Sequence, residues 1–268
     1  MNLIVILIMW FVLTITLLVQ MGYYIYTSGG VLLSNANVFI LIWFVLSIIF
    51  IAILIYKNNA RKKFRKILEY RKNNESFFED NYKEGEFFYQ SPLILLHSQY
   101  IPIYGIKKVD FKIYFENVLQ KWLSILDIFP IFNLKVETSE NVISIKRIKP
   151  FALRYHYEVY KNKKKIGILE QRQLFTKKRA KGLVAYEFNS SDNTYSIDNT
   201  KFTTKTFITD KNNNIIMEAK RSLFDMEKNE KFNVRGEKHS IEILNSFISY
   251  ELLLALYVQV MLDKQFRN

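Results

Sequence analysis

Residues 247–262 read FISYELLLALYVQVML. Ser249, Glu251 and Gln259 are the polar exceptions in a segment that is otherwise apolar nearly all round. A helix apolar on every side must be surrounded by protein or lipid. Its 16 residues reach roughly 24 Å as a helix, short of a bilayer core of about 30 Å. Burial inside a folded domain is therefore favoured over a membrane span. Glu251 is the carboxylate of interest here. On a central helix it must pair, reach an opening or shift its pKa upward; at an exposed helix entrance it would simply be solvated.

A buried helix needs a shell, and the residues before it supply one. From about Leu134 to Phe232 the chain is rich in Val, Ile, Tyr, Phe and Thr, interrupted by polar turns. This pattern predicts strands over 133–138, 142–147, 153–160, 165–175, 182–189, 193–197, 201–210, 214–224 and 231–235. Short sequential strands with tight turns predict an antiparallel meander closing into a barrel. Two turns are strongly basic: Lys161, Lys163, Lys164 and Lys165 in one, and Lys177, Lys178, Arg179 and Lys181 in the other. They sit at opposite ends of one predicted strand.

Upstream, Asp110 to Phe129 has apolar residues at spacings of three and four, with Asp110 as N-cap and Pro130 as stop. That predicts an amphipathic helix over 110–129. Its stripe suits a core or docking face, and Trp122 with flanking lysines also fits an interfacial membrane helix. Residues 75–109 are mixed, with a short strand expected at Leu93 to Leu96.

The N-terminus differs in kind. No charged side chain occurs between Met1 and Tyr56, so all 38 Lys and Arg and all 25 Asp and Glu lie in the remaining 212 residues. Leu3 to Tyr26 and Val38 to Tyr56 are apolar runs long enough to span as helices. Thr27-Ser28-Gly29-Gly30 separates them. A basic n-region and a small-residue cleavage site, the marks of a signal peptide, are missing. Lys57, Arg61, Lys62, Lys63, Arg65, Lys66, Arg71 and Lys72 follow directly, opposed only by Glu69. Positive charge beside a span marks the cytoplasmic side. The expected topology is two spans with both termini cytoplasmic, Trp10 and Trp43 lying deep and facing each other.

The formal net charge of +13 belongs entirely to the part beyond the spans. Such a domain is drawn to an anionic leaflet at about 1 kcal/mol per well-placed Lys or Arg. Nucleic acid is the other usual partner of basic surfaces, and the anchor makes lipid the more economical reading. The chain has no cysteine, which excludes disulfides, thiol nucleophiles and thiolate metal sites.

An antiparallel sheet followed by one apolar C-terminal helix resembles the tubby C-terminal-like fold shared by tubby domains, phospholipid scramblases and LURP-one-related proteins. Two stretches carry the resemblance: the hairpin from Tyr155 through Lys161 and Lys165 to Leu169, and Tyr250 to Asp263, similar to that family's central helix with a trailing acidic residue. The resemblance implies strands closing around a central helix, and a role in phosphoinositide binding or lipid movement. Two N-terminal spans replace the proline-rich segment of scramblases, and no position matches a known phosphoinositide-binding residue.

The fold class expected is thus membrane-anchored α+β. A two-helix transmembrane hairpin (1–56) precedes a basic juxtamembrane segment (57–74). A mixed segment (75–132) follows, then a tubby-like β domain (133–268) with its helix at 247–262.

Chemistry is sparse. Asp210-x-Asn212-x-Asn214 opens like a calcium loop, but Ile215 holds the glycine position and Arg221 the twelfth, so it reads as a polar turn. His97, His156 and His239 form no metal-spaced pair, and no phosphate loop, nucleophile elbow or His-Glu-x-x-His is present. No catalytic residue, metal or cofactor is assigned. The candidate lipid-binding residues are Arg61, Lys62, Lys63, Arg65 and Lys66 in one group and Lys161, Lys163, Lys164 and Lys165 in the other. The function expected is non-enzymatic binding of anionic lipid or a protein partner at the inner leaflet. The alternatives are an immunity-type interaction protein and scramblase-like lipid handling.

Overall fold

The computed structural model describes residues 3–26, 36–73, 82–92, 99–125, 131–149, 152, 154–172, 183–200, 204–222, 236–245 and 248–267. Two long helices come first, α1 (Leu3–Tyr26) and α2 (Ala36–Asn73). Trp10 Nε1 donates to Ser47 Oγ and Trp43 Nε1 donates to Thr14 Oγ1, each at 2.8 Å. The two indoles stack with ring centroids 5.9 Å apart. These cross-pairs make the helices antiparallel and satisfy both indole N–H groups inside the contact. Within the apolar stretches many side chains lack a protein cover: Phe11, Leu18, Phe44 and Tyr56 are all more than half exposed. Among the described residues one helix is long and apolar enough to cross a membrane, within Ile40–Lys66, and a shorter apolar stretch covers Ile8–Tyr23 of α1.

Twelve strands follow among the described residues. They are β1 (Glu86–Pro92), β2 (Ile101–Gly105), β3 (Val109–Tyr114), β4 (Asn133–Glu137), β5 (Val142–Arg147), β6 (His156–Lys161), β7 (Lys164–Gln171), β8 (Leu183–Ser190), β9 (Thr194–Thr200), β10 (Lys205–Thr209), β11 (Ile215–Arg221) and β12 (Gly236–Ile243). All neighbours are antiparallel and the sheet closes on itself, β1 completing the ring between β12 and β2. The seam runs from Glu86 opposite Glu242 to Pro92 opposite Gly236. A Cβ at Gly236 would press on the Ser91 carbonyl, so glycine is what lets the two backbones meet there.

Strand residues alternate between bore and outer wall, as a pleat requires. Phe111, Leu134, Val136, Ile143, Ile145, Tyr157 and Val159 are fully buried, while Lys112, Lys135 and Lys146 lie on the outer wall. Eight-stranded barrels are filled by their own side chains. Twelve strands leave room for a helix, and α4 (Tyr250–Arg267) occupies it. Every side chain from Leu253 to Lys264 is buried. The partners of α4 come from around the ring: Tyr89 on β1, Tyr157 on β6, Tyr186 on β8, Asn199 on β9 and His239 on β12. α4 is therefore apolar on all sides because protein meets it on all sides.

The structure corrects several expectations. The predicted 110–129 helix is instead strand β3, a turn, and a short helix α3 (Val118–Ile125). Val109, Phe111 and Ile113 share a period of two, and pairing with both β2 and β4 makes that period win. Asp110 is a strand residue opposite Pro102 and Glu137, not a helix cap. β1, β2 and β3, all upstream of residue 133, belong to the barrel, and β12 begins just beyond the predicted 231–235 strand. The C-terminal helix starts later and ends later than 247–262; the Ser249 carbonyl accepts its first backbone bonds, from Leu252 and Leu253. The Leu93 to Leu96 and 231–235 strands and the Lys177, Lys178, Arg179, Lys181 turn lie outside the described residues.

Candidate functional site

The Lys161–Lys165 cluster is the tip of the β6–β7 hairpin. Asn162 and Lys163 both have positive φ, 50° and 71°, the conformation of a two-residue type I′ turn. Asn tolerates that region best after glycine. The Asn162 side chain also ties the tip down. Its Oδ1 accepts from Val142 N at 2.8 Å, and its Nδ2 donates to Asn141 Oδ1 at 3.2 Å.

Asn141 continues the chain inward. Its Nδ2 donates to Glu251 Oε1 at 2.9 Å, and Ser249 Oγ donates to Glu251 Oε2 at 2.6 Å. Glu251 is thus the inner end of a relay from the hairpin tip to the first turn of α4. It lies buried and paired rather than at an exposed entrance. Burial pushes its pKa up, but the bonds from Ser249 and Asn141 and the Lys161 charge hold it below the usual carboxylate value. The positive end of the helix dipole favours the same charged form. Replacing Glu251 with Ala strands two donors, and a loss of about 1–3 kcal/mol in thermal unfolding at pH 7 is expected. Amide exchange should quicken at Val142 and Asn162 and stay unchanged at Ile197.

Of the four tip lysines, Lys165 is engaged with Glu158 at 2.6 Å, and that bond with Tyr160's lowers the Glu158 pKa. Lys161, Lys163 and Lys164 form no ion pair among the described residues. Lys163 and Lys164 are exposed and open to a ligand, while part-buried Lys161 also acts on Glu251.

The second basic group divides by face. Arg61, Phe64 and Arg65 are half-buried and Leu68 is buried, at helical spacings of three and four, while Lys62, Lys63 and Lys66 are exposed. Phe64 and Leu68 pack into the same hydrophobic cluster as the barrel core. Arg61 and Arg65 therefore lie on the half-buried docking face of α2, and the three lysines face solvent.

The bore also holds polar groups that the sequence did not assign to any site. At the C-terminal end of α4, Asp263 accepts from Tyr157 OH and Tyr186 OH, each at 2.7 Å, and from Gln259 Nε2 at 2.9 Å. Burial pushes the Asp263 pKa up to about 6 despite these donors. Lys264 Nζ donates to Asn199 Oδ1 at 2.6 Å, and Asn199 Nδ2 donates to Thr206 Oγ1 at 2.7 Å. His239 lies against Tyr89, ring centroids 4.3 Å apart, with Nδ1 2.8 Å from Tyr257 OH. One signal was readable beforehand: Gln259 and Asp263 stand four apart, hence on one face of a helix otherwise apolar.

Among the described residues no group of His, Asp and Glu could hold a metal. The Asp210 carboxylate is consumed by its own turn, accepting from Asn212 N, Asn214 N and Asn214 Nδ2, and so is a polar turn, as its sequence suggested. His156 Nδ1 lies 3.4 Å from Glu170 on the outer wall, and His97 lies outside the described residues. No family model matches the chain, and no curated protein or solved structure matches it. Its class rests on architecture: an antiparallel twelve-stranded barrel closed around an apolar helix, preceded by a helix apolar enough to span a bilayer.

Proposed function

We propose that this chain is a membrane-anchored, non-enzymatic protein whose barrel binds anionic lipid headgroups at the inner leaflet. In this reading α1 and α2 form a two-span hairpin with both termini cytoplasmic, stapled by the reciprocal Trp10 and Trp43 bonds. A barrel followed by one apolar helix in its bore supports kinship with the tubby C-terminal-like fold. The observation that carries the reading is the continuity of α2. It runs unbroken from the uncharged segment to Leu68, which packs with the barrel core. Leu68 stands roughly 18 Å along the helix beyond Tyr56. The barrel is thereby held close to a surface that attracts cations, with Lys161, Lys163 and Lys164 in no ion pair among the described residues.

Co-sedimentation of residues 57–268, which keep Phe64 and Leu68, tests this with vesicles of phosphatidylserine or phosphatidylcholine. Selective binding to the anionic vesicles is expected. Replacing Lys161, Lys163 and Lys164 with Ala should weaken it about 100-fold at low salt, at roughly 1 kcal/mol per lysine. Binding that survives this change but disappears when Lys62, Lys63 and Lys66 are neutralised would make the barrel a passenger. Binding to neither vesicle would turn the search to protein partners.

A further inference from the structure

The wall formed by β3, β4, β5 and β6 carries a feature that folding does not use. α3 crosses from the end of β3 to the start of β4, held by Ser124 Oγ, which donates to Ile131 O at 2.8 Å and accepts from Ile131 N at 3.0 Å. Its apolar ridge faces outward: Val118 is 69% exposed, Leu119 64% and Trp122 56%. Ile148, just past β5 at the same barrel end, is exposed as well. An amphipathic helix normally turns such a ridge to the core; this one presents it to the surroundings.

The adjoining wall is basic and aromatic. Lys112 lies over the Tyr100 ring at 4.2 Å and Lys146 over the Tyr160 ring at 5.7 Å. Lys112 and Lys135 are cross-strand partners. Acidic groups are present too, but Glu137 is paired with Lys135, Glu158 with Lys165, and Glu116 with Lys146. Between Lys107 and Lys165 the sequence has 13 Lys and Arg against six Asp and Glu. Ile106, Ile215 and Leu244 are also exposed, but they are single aliphatics in loops and at strand ends rather than a ridge on one helix.

We infer that the barrel lies on its side against an anionic bilayer, with Val118, Leu119 and Trp122 of α3 in the interfacial layer and the β3–β6 lysines and the β6–β7 tip over the headgroups. Apolar and aromatic residues flanked by lysine are what a lipid interface takes up, and the surplus charge is complementary to anionic lipid. A strand laid parallel to the membrane lets α3 at one end and Lys163 at the other reach it together. This inference rests on the lipid-binding reading and names the face that performs it.

The cysteine-free chain permits a direct test. The full chain is reconstituted in nanodiscs of phosphatidylcholine with phosphatidylserine. An environment-sensitive fluorophore is attached at Leu119→Cys, or at Lys220→Cys, an exposed position on β11 across the ring. The residue 119 probe should emit at shorter wavelength and resist iodide quenching, while the residue 220 probe stays fully quenchable. Equal quenching at both positions overturns the side-on seating. If the Lys161, Lys163, Lys164 variant still loses vesicle binding in that case, lipid recognition stands and uses another face. If it does not, both readings fall and the ridge belongs to a protein contact.

Discussion

Replacing His239 with Phe is expected to remove the acid-destabilising contribution of the buried imidazole. Burial pushes the His239 pKa down to about 3, helped by the charges of Arg221 and Lys264. Glu237 is the carboxylate that could hold a charged imidazole, but its other oxygen binds Arg221 at 2.5 Å and its Oε2 lies 3.7 Å from Nε2. The folded pKa is depressed below the unfolded value of 6.5. The folded state therefore favours the neutral ring. That preference is fully present above pH 6.5 and is lost as pH falls toward 3, by about 1.4 kcal/mol per unit and roughly 5 kcal/mol in all. Phe keeps the stack on Tyr89 and carries no proton, but leaves Tyr257 OH unpaired, at about 1–3 kcal/mol. The parent should be the more stable protein at pH 7 and the variant below about pH 5. Parallel melting curves for the two proteins from pH 7 to 4 would show that His239 is not the acid-sensitive group.

Much of the barrel was legible because strand periodicity survives wherever one face is buried. β4, β5, β7, β8, β10 and β11 fall on segments whose alternation and turn residues are both plain. The misreading at 110–129 has a physical cause. Phe111, Phe115 and Val118 satisfy a helical spacing while Val109, Phe111 and Ile113 satisfy a strand spacing, and local pattern cannot rank the two. The cross-strand partners of β3 do: Ile101 and Ile103 across the hairpin with β2, and Leu134 and Val136 on β4, more distant in sequence. β1 was hidden for a related reason. It pairs with β12, some 150 residues away, and its FFYQS pattern has no clean alternation, since Gln90 and Ser91 are both buried.

The candidate site was legible as charge and illegible as structure. Counting lysines found the 161–165 tip, but only geometry separates Lys165, already held by Glu158, from Lys161, Lys163 and Lys164. Nor does sequence join Asn162 to Asn141 and Glu251, because the relay crosses three elements. The interior pairs Asp263 with Tyr157 and Tyr186, and His239 with Tyr257, are likewise contacts across the bore. Helix α4 and the wall each contribute half of every pair.

Those interior pairs should oppose each other in a pH titration, and Asp263→Asn exposes the second half. Burial raises the Asp263 pKa from 3.8 to about 6, so the folded state favours the protonated acid. Its stabilisation is complete below pH 3.8 and is lost as pH rises through 6, by roughly 3 kcal/mol. The groups facing it are Tyr157 and Tyr186, whose hydroxyls burial holds neutral, with Gln259 on its own helix and the Arg147 charge farther off. An Asn side chain retains one acceptor and cannot ionise. Relative to the parent, the Asp263→Asn barrel should gain about 3 kcal/mol between pH 4 and 7, read as the difference in unfolding free energy at each pH. Between pH 4 and 6 the His239 and Asp263 slopes have opposite sign and similar size. The parent should therefore be nearly flat with respect to these two groups. His239→Phe should become less stable as pH rises, and Asp263→Asn more stable. A difference between Asp263→Asn and parent that stays constant from pH 4 to 7 would mean that Asp263 titrates at the same pH folded and unfolded, its three donors cancelling the cost of burial.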